Sequence, residues 1–110
     1  MNYQEYIDID KTASPYEIEM ELSGEIYKLE FSYNRQFDFF TVDLFKNGVA
    51  LVIGEKLILN RPLWRNNVDN DLPKIQLIPK DRAGVASRIT YDNLNETVFL
   101  YVIEGDSDAS

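Results

Sequence analysis

The sequence predicts an all-β domain, a single small β-barrel or β-sandwich of about seven to eight short antiparallel strands. Three observations predict it. Apolar and polar residues alternate with period two, most clearly over Tyr16–Leu22 and Tyr27–Tyr33. Turn signals (Ser23-Gly24, Asn34-Arg35-Gln36, Asn47-Gly48, Asp81–Val85) punctuate the chain at roughly 8- to 12-residue intervals. No stretch of real length carries apolar residues at helical spacing.

The elements follow in order. Residues 1–15 read as an N-terminal arm or edge strand, residues 16–104 as the β domain and residues 105–110 as a flexible acidic tail. In the first clear strand Tyr16, Ile18, Met20 and Leu22 share one face, and Glu17, Glu19 and Glu21 the other. Such a glutamate row repels itself unless it is solvated or met by cations, for which Lys28 or Lys46 across the hairpin are candidates. Tyr27, Leu29, Phe31 and Tyr33 then form an apolar row opposite Lys28, Glu30 and Ser32. After the Asn34-Arg35-Gln36 turn, a strand over Phe37–Phe45 presents Phe40, Val42 and Leu44 on one face. Phe37, Phe39 and Phe45 lie on its other face, with Thr41 and Asp43. A strand apolar on both faces is either covered on both sides or part of an interface.

Asn47-Gly48 is a strong hairpin signal, because both residues tolerate the positive φ of a type I′ turn. Val49–Ile53 and Leu57–Leu59 read as short strands split by Gly54-Glu55-Lys56, and Leu63-Trp64 as an anchor for the polar loop Arg65–Pro73. Lys74–Pro79 is a further strand, with Ile75, Leu77 and Pro79 on one face. Ala86–Asn95 carries strand and bend signals together, and Thr97–Ile103 reads as a buried closing strand.

Composition narrows the function. The 110 residues, 45% hydrophobic and 13% aromatic, suit one domain with its own core. Cysteine and histidine are both absent, which removes thiolate nucleophiles, disulfides, the commonest metal ligands and the usual acid–base residue near neutral pH. A net charge of −8, with basic residues scattered rather than clustered, argues against direct nucleic-acid binding. The N-terminus has no signal-peptide pattern and the longest apolar run, Val49–Ile53, is far too short to span a bilayer, so neither export nor membrane insertion is expected.

Candidate chemical sites are weak. Asn67–Asp71 has a superficial calcium-loop spacing, but Leu72 and Ile78 stand where glycine and the bidentate glutamate belong. Asp8 and Asp10 with the glutamate row offer paired carboxylates, for which an acidic solvent face is the simpler reading. No catalytic, metal or cofactor site is expected. Trp64 and the phenylalanine face remain as core or as protein–protein anchors, since aromatic residues are enriched at interface centres. The candidate assembly interface is therefore Phe37, Phe39, Phe45 and Trp64, with Glu17, Glu19 and Glu21.

With those residues in view, the chain resembles the phage baseplate plug family. The resemblance rests on the order of the aromatic strand Tyr27–Tyr33, the turn at Asn34, the step Phe39-Phe40-Thr41-Val42-Asp43-Leu44 and the turn Asn47-Gly48. It continues through Leu51-Val52-Ile53-Gly54-Glu55-Lys56-Leu57 and, after Asp92-Asn93-Leu94, the strand Val98–Ile103. It covers residues 16–103, and Arg61–Pro73 departs from it by being more polar. The resemblance implies a structural, non-enzymatic virion protein of the tail baseplate or hub, made in the host cytoplasm. Its implied partners are hub, spike and tube-initiating proteins, with several copies around the tail axis. Acidity suits a surface beside a DNA conduit, which would not snag phosphates. The competing reading is a carbohydrate- or receptor-binding β-module that uses Trp64 and the tyrosines as stacking platforms; a small enzyme working with carboxylates alone is a third.

Overall fold

Alternating apolar residues and tight turns place seven strands, among the described residues, in two antiparallel sheets. The structure is a computed structural model and describes residues 5–65 and 71–103. The strands are β1 (Tyr6–Ile7), β2 (Tyr16–Leu22), β3 (Glu25–Asn34), β4 (Phe39–Lys46), β5 (Val49–Lys56), β6 (Gln76–Asp81) and β7 (Val98–Ile103). One sheet has the order β2-β3-β4-β5, a continuous meander; the other has the order β1-β7-β6. The main core cluster takes side chains from both sheets, so the architecture is two sheets facing each other rather than a closed barrel. The acidic tail and residues 66–70 of the polar loop lie outside the described residues.

Turn chemistry sets the meander. Leu22 pairs with Glu25 across Ser23 and Gly24, both at positive φ, and Lys46 pairs with Val49 across Asn47 (φ 54°) and Gly48 (φ 78°). These two-residue loops have the I′ geometry whose twist matches the strands. The β3–β4 connection is longer than its sequence signal suggests. Asn34 pairs with Phe39, and the loop runs through Asp38, whose φ is 57°. Asn34 accepts twice there, from the Asp38 N–H at its carbonyl (2.8 Å) and from the Phe37 N–H at its side chain (3.0 Å). Phe37 therefore belongs to the turn and not to the strand.

Leu57–Leu59 is not a separate strand. Val49–Lys56 is one strand that keeps its pairing to β4 through two irregularities, between the positions opposite Val42 and Leu44 and between those opposite Leu44 and Phe45. Gly54 absorbs the first at φ 72°, and its N–H is held by Asp43 Oδ1 at 2.7 Å. Each bulge adds a residue and increases the local twist. After the Leu57 N–H bonds Phe40 O, the chain crosses to the second sheet, where the N–H groups of Asn60 and Leu63 bond the carbonyls of Pro79 and Leu77. Residues 86–95 form turns, joined to β7 only by a single bridge between Leu94 and Val98.

The core is what the alternation requires. Leu29, Phe31, Phe40, Val42 and Leu44 meet Leu77, Val98, Leu100 and Val102 in one buried cluster, closed by Ile7 and Ile9 from the N-terminal segment. β7 also carries Tyr101 and Ile103 on its opposite face, where they pack with Ile78 and the half-buried Phe99. Its VFLYVI sequence is apolar throughout for that reason. Leu44 is fully buried, whereas Ile53 is 65% exposed. Leu44→Ala should therefore cost about 2–5 kcal/mol in urea unfolding, and Ile53→Ala within about 0.5 kcal/mol of none.

Candidate functional site

The core-forming register of the four-stranded sheet also composes its outer face. Leu29 pairs with Leu44, Phe31 with Val42 and Tyr33 with Phe40, all directed inward. Alternation then sends Lys28 outward beside Phe45, Glu30 beside Asp43, Ser32 beside Thr41 and Asn34 beside Phe39. On β2 the pairs Glu17 with Glu30 and Glu19 with Lys28 extend the same rows, and Ile26 stands opposite Glu21. Phe39, Phe45, Glu17, Glu19 and Glu21 thus share one face. Phe37 stands at its end, 64% exposed on the β3–β4 turn.

This face is mixed in chemistry. Lys28 Nζ lies 4.6 Å from the Phe45 ring centroid and 3.8 Å from Glu17, and Lys56 Nζ lies 4.7 Å from the Phe39 ring. Each ring is half-buried under a lysine rather than bare to water. Lys28 answers the glutamate row as expected; Lys46 turns elsewhere, 3.6 Å from Glu25 and 3.8 Å from Asp71. Glu17, Glu30 and Asp43 lie side by side on three neighbouring strands. Like charges placed directly opposite weaken strand pairing, and Lys28 at Glu17 and the Gly54 N–H at Asp43 offset this in part. Ile26 and Ile53, 58% and 65% exposed, add apolar surface that the sequence reading missed. Ile26 was findable, because it is out of phase with the Tyr27–Tyr33 row.

Trp64 lies elsewhere. It is 6% exposed and belongs to the main core cluster, with its N–H donating to Glu55 Oε2 at 3.0 Å. Its indole Nε1 is buried without a hydrogen-bond partner. A ring so placed offers neither a sugar-stacking platform nor a direct contact to a partner.

A cleft of about 660 Å³ is lined by Lys11, Ser14, Tyr33, Arg35, Asp38 and Tyr91. Its aromatic rings are already engaged. Tyr33 lies 4.8 Å from Phe40 and 5.0 Å from Tyr91, and Lys11 sits 5.0 Å over the Tyr91 ring. Lys11 Nζ also donates to the carbonyls of Tyr91 (2.6 Å) and Asp92 (3.3 Å). Asp38 is the node of this region. Its carboxylate accepts from Tyr33 Oη at 2.7 Å, from the Tyr91 N–H at 2.9 Å and from Arg88 Nη2 at 3.2 Å. The Tyr33 hydroxyl, then the Tyr91 N–H and the Arg88 charge, hold the Asp38 carboxyl below its ordinary 3.8. The same hydrogen bond to Asp38, with burial second, pushes the Tyr33 phenol up. Asp81 is lowered by N–H donors of the turn that follows it, Ala86 first. These are structural ties that bind turns to strands. Among the described residues no group of three or more acidic, histidine or cysteine side chains is placed to hold a metal ion, and no helix is long and apolar enough to cross a membrane.

The two antiparallel sheets packed on one shared core define a small all-β structural domain. Residues 4–106 match the protein family described as cyanophage baseplate Pam3 plug gp18. The chain belongs to this family and is a structural plug component of a phage tail baseplate. A search of the curated proteins finds no match.

Asp38 generates a pH test. Its carboxyl is stabilised when ionised in the fold, so its contribution is fully present above the unfolded value of about 3.9 and is lost as pH falls through the lower folded value. Asp38→Asn should lower the melting temperature at neutral pH. The gap to the parent should close between about pH 5 and pH 2, measured by thermal scans at each pH.

Proposed function

We propose that the outer face of the four-stranded sheet is the surface by which this plug protein is held among its baseplate neighbours. Those neighbours are hub, spike and tube-initiating proteins, with several copies arranged around the tail axis. The observation that carries the reading is the register. It brings Phe39, Phe45 and Ile26 onto one face with Glu17, Glu19, Glu21, Glu30 and Asp43, and the exposed Ile53 lies in the β5 bulge beside Asp43's strand. Half-exposed rings ringed by charge are the anatomy of a protein–protein contact, with apolar anchors inside a polar rim. The excess of carboxylates over Lys28 and Lys56 specifies the chemistry of the partner: a basic surface with apolar pockets. Binding such a surface relieves the Glu17–Glu30–Asp43 repulsion that the free protein carries.

On this reading the protein acts by fit and charge, without catalysis or cofactor. It is carried into the virion tail as part of the baseplate. Phe37 extends the contact surface at the turn, and Trp64 supports it from within by packing under the end of β5.

Two experiments follow. The double variant Phe39→Asp, Phe45→Asp should keep the parent circular-dichroism spectrum and cooperative unfolding, yet be lost from purified tails. Normal incorporation defeats the reading; outright unfolding returns both rings to the core. Glu17→Gln with Glu19→Gln and Glu21→Gln should weaken co-assembly at low salt and flatten its dependence on ionic strength, because rim charges act mainly on encounter. An unchanged salt dependence counts against a basic partner.

A further inference from the structure

The two sheets have four edges, and the fold treats them differently. β1 is two residues long, too short to template a neighbour. β6 carries Pro79, and its free carbonyls at Leu77 and Pro79 are taken by the N–H groups of Leu63 and Asn60. β2 is guarded by Glu17, Glu19 and Glu21, all exposed. β5 has none of these protections over Val49-Ala50-Leu51-Val52-Ile53, a stretch with no charge and no proline. Val49 is 60% exposed and Ile53 65%. Among the described residues its backbone bonds run only to β4, and the nearest cover is at Glu55, where Trp64 closes the end of the strand. An unguarded apolar edge presents a row of unpaired N–H and C=O groups, which is a template for another strand. Its two bulges twist it out of flatness, which limits indiscriminate stacking without closing the ladder.

We infer that Val49–Ile53 is a strand-addition site, at which an extended, net basic segment of a non-identical baseplate protein pairs antiparallel or parallel with β5 and continues the four-stranded sheet. This rests on the reading that the outer face of that sheet is the assembly surface, and deepens it by naming the edge and the form of the partner. A strand is what the open ladder accepts, since backbone bonds give affinity and alternate side chains give selectivity. Net basicity follows from charge. This chain carries −8, so a second copy would bring a like charge to the same edge. A basic strand beside β5 instead places its outward side chains on the face that holds Asp43, Glu30 and Glu17.

The test uses the full chain in tails assembled in host cells. Those amides of 49–53 that do not bond β4 should exchange with solvent rapidly in the free protein and become protected in the assembled baseplate, while β2 amides change little. Val49→Lys with Ile53→Lys, two exposed sites that leave the core untouched, should cut incorporation by about tenfold or more, with Val49→Thr and Ile53→Thr retaining it. Sedimentation of the purified chain should give a monomer with and without the lysines. Unprotected 49–53 amides in assembled baseplates, or normal incorporation of the lysine variant, overturn the strand-addition site. If Phe39→Asp with Phe45→Asp still blocks assembly in that case, the face reading survives. An oligomer of the parent chain that the lysines dissolve overturns the choice of partner, because it assigns the edge to a second copy.

Discussion

The register of β3 against β4 is the constraint on which the rest of the molecule depends. Three consecutive inward pairs, Leu29 with Leu44, Phe31 with Val42 and Tyr33 with Phe40, supply five residues of the buried cluster and, in Tyr33, one half-buried residue packed against it. Side chains alternate with period two, so a slip of one residue would turn all six into water and bring Lys28, Glu30 and Asp43 into the core. That penalty far exceeds any preference of the turns. The pairing is therefore pinned, and with it the composition of the opposite face. The outer face is made from the residues that the core leaves over.

The second sheet completes this arrangement by covering only one side. β7 and β6 supply Leu77, Val98, Leu100 and Val102 to the shared core and shelter the inner rows of β3 and β4. Nothing among the described residues covers the outer rows in the same way. Burial at that face stops at half-exposed rings shielded by Lys28 and Lys56, an arrangement that keeps aromatic surface wetted and exchangeable. Core stability therefore draws on the inner face of these strands, while the outer face stays half-exposed.

The ties around Asp38 in the β3–β4 turn belong to stability. Asp38 links the β3–β4 turn to residues 50 to 53 positions away, through Arg88 and Tyr91. The sequence reading passed over Asp38 because an isolated aspartate in a turn has no local signature of long-range bonding. It also started the fourth strand at Phe37, two residues early. There the turn chemistry of Asn34 and the positive φ of Asp38 outweighed an apolar residue that looked ready to continue the alternation. The bulged β5 misled in the opposite sense. Gly54 reads as a break between two short strands, but its freedom at positive φ lets one strand absorb an extra residue and continue.

By itself the sequence determined what is local. Period-two alternation over Tyr16–Leu22, Tyr27–Tyr33 and Phe40–Leu44 defined strands and faces, Ser23-Gly24 and Asn47-Gly48 defined hairpins, and the order of motifs pointed to the baseplate plug family. The tertiary structure decided what depends on distant partners. It sent Trp64 into the core, because Leu57, Leu63 and Trp64 join the buried cluster as the chain crosses from β5 to the edge of β6. It also left β5 as the open edge, because that crossing segment covers β6 instead. Alternation reports which residues face together; which edge and which ring remain at the surface is settled only by how the two sheets meet.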